Sequence, residues 1–148
     1  SAMSSVCYPG RLLGIDYGTR RIGIALSDPR QLIATPLTTY HRTRPEKEAP
    51  FFCDLAGEYE ITGFVIGLPL HMHGEISDMA IEAKAFGSWL HEQTGKKIVF
   101  WDERLTTAAA EIHLKSARLS LEKRKKKRDP VAAQIMLQSY LQSKSMDS

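Results

Sequence analysis

Hydrophobic residues recur along this chain in short runs that are separated by turn-forming residues. Apolar runs at residues 11–15 and 22–26 flank a turn that contains glycine, which predicts an antiparallel β-hairpin. A third strand is expected over residues 32–40, where Pro36 favours an edge strand or a bulge. The first third of the chain is therefore predicted to form antiparallel strands.

The rest of the chain alternates helical and extended patterns. The apolar runs FVIG and KIVFW are typical of strands buried on both faces. Asp129 and Pro130 are good N-cap and first-turn residues for a last helix that ends near Gln142. The i, i+3, i+4 spacing of apolar residues at 52–59 predicts a helix whose start is bracketed by Pro45 and Pro50, and the same spacing predicts helices at 78–94 and 105–112. The expected fold class is α/β: a mixed five-stranded sheet with an antiparallel first hairpin, a parallel second half and helices on both faces.

Length and composition favour one intracellular domain. We read the leading Ser-Ala-Met as a cloning remnant, so residues 1–9 are expected to be remnant and tail, and residues 10–148 a single domain. No apolar run is long enough to cross a bilayer. Cys7 and Cys53 lie far apart without metal-binding spacing, which favours two reduced thiols in the cytosol.

Charge is concentrated in one segment. Residues 115–128 hold eight basic residues and one acidic residue, a local charge of +7, so the remaining chain carries −4 of the total of +3. Such a segment suits either a polyanionic partner or a solvated loop, and the charge pattern alone does not separate the two. The candidate nucleic-acid contacts are Lys115, Arg118, Lys123, Arg124, Lys125, Lys126, Lys127 and Arg128.

Three carboxylates stand where predicted elements end or begin. Asp16 ends the first strand, Glu103 follows the last strand, and Asp129 precedes the last helix. Sites in open α/β sheets form outside the carboxyl ends of strands, so Asp16 and Glu103 would lie side by side if the first and last strands are neighbours. Small residues at Ala132 and Ala133 would let the last helix bring Asp129 close.

Three carboxylates in one place would bind protons or hold a cation, because their mutual repulsion is costly. Mg²⁺ or Mn²⁺ suits oxygen ligands of this kind, and two such ions can support phosphodiester hydrolysis. The predicted catalytic and metal-binding residues are therefore Asp16, Glu103 and Asp129. Each acid also has a plainer explanation: a turn-shaping hydrogen bond for Asp16, pairing with Arg104 for Glu103, and helix capping for Asp129.

Four blocks of the chain resemble the YqgF family, also called RuvX: GIDYGTRRIGIALSD, VIGLPLHMHGE, WDERLTTAAAE and RDPVAAQIMLQSYL. The resemblance implies a ribonuclease H-like fold, related to the RuvC Holliday junction resolvases, in a cytoplasmic bacterial protein. It also implies that Asp16, Glu103 and Asp129 are the metal-binding acids, with Asp102 the weaker candidate beside Glu103. His71 stands where the family has asparagine.

The predicted function is a metal-dependent endonuclease acting on structured RNA or branched DNA. The resemblance implies maturation of the 5′ end of pre-16S ribosomal RNA, with Holliday junction resolution as the alternative. Expected partners are nucleic acid and ribosomal precursor particles, not a membrane, with the chain a monomer or a homodimer. Two further hypotheses stay open: an actin-like ATP-binding protein, in which Gly18 and Thr19 approach a phosphate, and a non-catalytic nucleic-acid-binding module.

Some candidate residues keep two interpretations. His71 and His73 could bind a metal, although exposed loop imidazoles are the simpler explanation. Trp89 and Trp101 lie in apolar periodic segments and are expected in the core. Tyr17 either stacks on a base or covers the hairpin.

Overall fold

The computed structural model describes residues 8–69, 77–105 and 130–147. These residues form five strands: β1 (Arg11–Asp16), β2 (Arg21–Ser27), β3 (Ala34–His41), β4 (Ile61–Leu68) and β5 (Lys97–Asp102). Within the same residues lie three α-helices: α1 (Pro45–Glu58), α2 (Asp78–Thr94) and α3 (Pro130–Asp147). A 3₁₀ turn over Glu103–Leu105 follows β5.

The sheet is mixed, as predicted, with strand order β3-β2-β1-β4-β5. β2 pairs antiparallel with both β1 and β3, and β4 pairs parallel with both β1 and β5. β3 is an edge strand, and its register with β2 shifts beside Pro36, which confirms both parts of the expectation for that proline. The antiparallel hairpin and the parallel second half are thus both present.

The last strand differs from expectation. The condition under which Asp16 and Glu103 would lie side by side is not met, because β4 lies between β1 and β5. β4 lies beside β1, and the connection through α2 places β5 beyond β4, so β5 becomes an edge of this sheet. As a consequence every residue of β5 is half-buried or exposed, although its run of apolar residues predicts a strand buried on both faces.

Helix boundaries follow local signals in most places. Ser77 caps α2 by accepting a hydrogen bond from the backbone N–H of Ala80, and Gly95 ends α2 with a φ of 73°. Helix α1 begins at Pro45, within the predicted bracket, and continues through Pro50. A proline at the first position is favourable because no N–H is needed there. The helix predicted at residues 105–112 lies outside the described residues except for Leu105.

The sheet is covered on both faces, as predicted. Helices α1 and α2 pack on one face, where alternate strand residues such as Leu13, Ile15 and Ile24 form the larger core. Helix α3 packs on the opposite face, called the α3 face below. It lies close to β1, since a methyl group placed on Gly14 would lie 2.9 Å from Leu137 Cβ. Ala132 and Ala133 are buried in this contact, as expected.

The two cysteines fall on different parts of the chain. Cys53 is an exposed free thiol, and Cys7 lies outside the described residues. In the described part of the chain, no helix combines the length and apolar character that a membrane crossing needs.

Candidate active site

Asp16 is the last residue of β1 and lies on the α3 face. Its neighbours Ile15 and Tyr17 belong to the opposite core, so alternation along the strand turns Asp16 toward α3. The residue is 2% exposed and pairs with Gly23 of β2. Burial of a carboxylate is costly unless hydrogen bonds, a proton or a cation compensates.

Glu103 reaches the same edge of the α3 face from β5. Its carboxylate lies over Gly67 of β4, since a methyl group added to Gly67 would lie 2.6 Å from Glu103 Oε1. Ile15 pairs with Ile66, so Gly67 and Asp16 occupy corresponding positions on adjacent strands. Adjacent strands lie about 4.8 Å apart, and the Glu103 carboxylate is therefore roughly one strand away from Asp16.

β4 separates β1 from β5, but Gly67 of β4 has no side chain, so the Glu103 carboxylate can reach across β4 toward Asp16. From the sequence, Asp16 and Glu103 would lie side by side only if the first and last strands were neighbours, and the structure brings them near each other by a different route. The Met136 side chain of α3 closes the other side of this space, because its Cγ would lie 3.0 Å from a methyl group at Gly67. The helix, the sheet and the 3₁₀ turn meet here.

Several predicted site residues lie outside the described residues: Asp129, His71, His73 and the basic residues between 115 and 128. Pro130, next to Asp129, is the first residue of α3. Among the residues that the structure describes, no three His, Cys, Asp or Glu side chains form a group that could hold a metal ion. Asp16 and Glu103 remain as a pair of oxygen donors on one face.

Asp102 is engaged away from this pair. Its carboxylate accepts hydrogen bonds from Arg104 Nε at 3.0 Å, from Nη2 at 2.6 Å and from the backbone N–H of Arg104 at 2.9 Å. The hydrogen bonds from Arg104 lower the pKa of Asp102 below its ordinary value. This arrangement agrees with Glu103, not Asp102, being the inward-facing acid.

An ion pair between the half-buried Arg42 and the buried Glu48 fixes the segment that follows Asp16. Arg42 Nη1 donates to the Tyr17 hydroxyl at 2.9 Å and to the carbonyl oxygen of Gly18 at 3.4 Å. Glu48, which is 1% exposed, accepts hydrogen bonds from Arg42 Nε at 3.1 Å and from Nη2 at 3.0 Å. Burial disfavours the charged form of Arg42, but the hydrogen bonds to Glu48 and Tyr17 outweigh it and raise its pKa.

Sequence reasoning did not predict this network. Its members lie on three separate elements, and no local spacing signals their contact. It also decides the role of Tyr17, whose ring packs 5.2 Å from that of Phe86 and is 8% exposed, so Tyr17 covers the hairpin. Gly18 is buried and Thr19 is exposed in the bend that follows.

The two tryptophans pack as expected. Trp89 lies against the core under α1 and α2, 5.6 Å from the Phe86 ring. Trp101 packs on the α3 face, where its ring lies 5.6 Å from that of Tyr140. Both rings are half-buried, which favours a packing role for each.

Comparison with known proteins gives strong sequence matches. The sequence profile of the RuvX family, described as Holliday junction resolvase, matches residues 10–143. A protein of Rhodopirellula baltica named "Putative pre-16S rRNA nuclease" is 42% identical over 134 residues, which cover 90% of this chain and 78% of that protein. A protein of the same name from Clostridium beijerinckii is 46% identical over 134 residues, covering 88% and 95% of the two chains. The predicted enzyme class, a nuclease, agrees with these names.

A solved structure shares the fold. RuvC of Thermus thermophilus, in complex with a Holliday junction substrate, superposes with a TM-score of 0.61 over 94% of this chain and 97% of RuvC. The two sequences are 12% identical. The likeness confirms the predicted fold class, a ribonuclease H-like fold of the RuvC type.

Proposed function

This chain belongs to the RuvX family, and we propose that it is a metal-dependent endonuclease that hydrolyses phosphodiester bonds of nucleic acid. The observation that carries the proposal is the pair of carboxylates on the α3 face, the buried Asp16 and the Glu103 side chain seated over Gly67. The names of the relatives support the 5′ end of pre-16S ribosomal RNA as the substrate. The description of the family supports a Holliday junction as the alternative.

The residues present fit a hard divalent cation. Oxygen donors from carboxylates are what Mg²⁺ and Mn²⁺ prefer, and the buried Asp16 and the Glu103 carboxylate over Gly67 offer such donors on one face. Asp16, Glu103 and Asp129 would hold two such ions. When bound, the ions would supply an activated water and offset the charge that develops on the leaving oxygen.

The chain's own residues hold the reacting groups in place. The β1 backbone, paired on both sides, fixes Asp16. Arg42 fixes Tyr17 and Gly18, and the turn at Gly18 and the exposed Thr19 would approach a substrate phosphate. The basic residues from Lys115 to Arg128 would bind the sugar-phosphate backbone, in the way that lysine and arginine contacts bind nucleic acids without regard to sequence.

The proposal also includes the domain organisation of the chain and its location in the cell. Residues 10–148 would form a single nuclease domain in the cytoplasm, and ribosomal precursor particles would present its substrate.

A parallel cleavage assay tests the proposal. The chain is incubated with a four-way DNA junction and with a pre-16S leader RNA fragment, in Mg²⁺, in Mn²⁺ and without metal. We expect metal-dependent cleavage, reduced at least about 100-fold by Asp16→Asn, the loss typical when one key electrostatic group of an active site is removed. Asp54→Asn is the matched control, since Asp54 is exposed on α1. Cleavage that survives Asp16→Asn in protein free of contaminating nuclease would refute the proposal, and the substrate that is cleaved identifies the activity.

A further inference from the structure

Two basic residues face each other at the edge of the sheet that carries Asp16. Arg21 opens β2 and His41 closes β3, and they are direct cross-strand partners. Partners in an antiparallel pair project to the same face. Ile22 and Ile24 of β2 belong to the core under α1 and α2, so Arg21 and His41 project to the α3 face, the face of Asp16.

The pair lies close to the proposed catalytic acid. Asp16 pairs with Gly23, and Arg21 is two residues from Gly23 along β2. Diagonal neighbours in an antiparallel pair are about 7–8 Å apart, which is the separation expected between Asp16 and Arg21. The residue directly opposite Asp16 is a glycine, so no side chain at that position stands between them.

Both side chains are available for a ligand. Arg21 is half-buried and His41 is exposed. The ion pairs of the described part of the chain are Arg42–Glu48, Arg44–Glu46 and Arg104–Asp102, and none of them engages Arg21 or His41. A guanidinium with free donors binds phosphate through two parallel hydrogen bonds, and an imidazole can add one more.

We infer that Arg21 and His41 form a phosphate-binding surface for the substrate strand, beside the acids and on the β3 side of the sheet. The inference rests on the proposed nuclease function and assigns to that site a contact outside the basic segment at residues 115–128. A strand whose scissile phosphate lies at Asp16 would present a flanking phosphate to this pair. The contact would bind the backbone and carry no sequence preference.

Salt-dependent binding tests the inference separately from catalysis. Fluorescence anisotropy measures the Kd of the full chain for the four-way DNA junction and the leader RNA fragment, with Ca²⁺ replacing Mg²⁺, over about 50–200 mM salt. The variants are Arg21→Gln, His41→Gln and both together. Arg30→Gln is the matched control, because Arg30 is exposed beyond the opposite end of β2. Thermal denaturation checks that all variants are folded.

We expect the double variant to bind about tenfold more weakly and to lower the slope of log Kd against log salt by about one to two, whereas Arg30→Gln changes neither. Unchanged affinity and slope in the double variant would overturn this inference and leave the nuclease proposal standing. Weaker binding with an unchanged slope would also overturn it, since it would mean that the pair supports Asp16 and does not contact phosphate. A wild-type chain that binds neither probe would overturn both proposals.

Discussion

A side chain at position 67 would occupy the space that the Glu103 carboxylate fills. In Gly67→Ala the new methyl group would clash with Glu103 Oε1 and with the Met136 side chain. Glu103 is a flexible side chain at the end of a strand, so it can swing aside at little cost in stability. We expect the melting temperature to stay within a few degrees and cleavage to fall about 10–100-fold, as when a ligand is poorly oriented.

Gly57→Ala is the control for this substitution. Nothing lies within 4 Å of a methyl group at Gly57, which is exposed on α1. Alanine in a helix is favoured over glycine by up to about 1 kcal/mol, so this variant should be at least as stable and equally active. Full activity of Gly67→Ala would show that the position of the Glu103 carboxylate over Gly67 is irrelevant to catalysis.

Asp28 provides a prediction about pH. Its Oδ1 accepts hydrogen bonds from the backbone N–H groups of Leu32 at 2.7 Å and Ile33 at 2.9 Å. Partial burial acts to raise the pKa of Asp28, but the backbone hydrogen bonds outweigh it and lower the pKa below 3.8. A carboxylate with a lowered pKa stabilises the fold above its unfolded pKa, and that stability is lost as pH falls through the folded value.

Asp28→Asn should therefore be less stable than the wild type at neutral pH, by about 1 kcal/mol, the net contribution typical of a hydrogen bond. The difference should shrink as pH falls below about 4 and vanish in stronger acid. Urea denaturation at several pH values measures it. A difference that persists unchanged in strong acid would contradict the assigned cause.

At the scale of elements, two connections are hydrogen-bonded to each other. Arg42, between β3 and α1, donates to Tyr17 and Gly18, between β1 and β2. Tyr17→Phe removes only the hydroxyl that accepts from Arg42 and keeps the ring on Phe86. Because Tyr17 follows Asp16 directly, we expect kcat to fall up to about tenfold with KM unchanged, as for a group that orients a metal ligand. Steady-state kinetics at saturating Mg²⁺ measure the two constants.

Tyr40→Phe is the matched control. It also removes one phenolic hydroxyl, bonded to Thr43 Oγ1 at 3.1 Å, and it keeps the stacking of the ring on Phe51. It does not touch the segment after Asp16 and should leave kcat unchanged. Equal losses in the two variants would mean that the Arg42 network contributes stability alone.

Elements with local signals could be predicted from the sequence. The hairpin of β1 and β2 follows from its apolar runs and turn, and α2 follows from its stripe, Ser77 and Gly95. The order of β4 and β5 could not be predicted in the same way, because crossover connections set it. The packing of β5 also depends on a distant contact, since Phe100 fills the space above Gly87 of α2 that a side chain there would need.

The candidate site was predictable only in part. Asp16 and Glu103 stand out because strand ends in α/β sheets are where sites form. Nothing in the sequence near Glu103 indicates that Gly67 provides its seat, and nothing near Arg42 indicates Tyr17, 25 residues earlier. Both are contacts between elements that periodicity does not encode.

At the scale of the whole molecule, one face of the sheet carries the larger hydrophobic core and the other carries the charged residues of the proposed site. The face under α1 and α2 carries the larger hydrophobic core, and it anchors Tyr17 through Phe86. The α3 face carries Asp16, the Glu103 carboxylate and the Arg21–His41 pair at one edge. Acids at the centre and basic residues beside them form the charge pattern expected for cleavage of a polyanion bound along its backbone.

The position of bound Mn²⁺ is the most direct test of this account. Crystals of the wild-type chain grown with millimolar Mn²⁺ would be examined by anomalous scattering at the manganese edge. The account predicts an anomalous peak held by the carboxylates of Asp16 and Glu103, and its loss in crystals of Asp16→Asn. Mn²⁺ bound only elsewhere, with these two carboxylates directed away from each other, would contradict it.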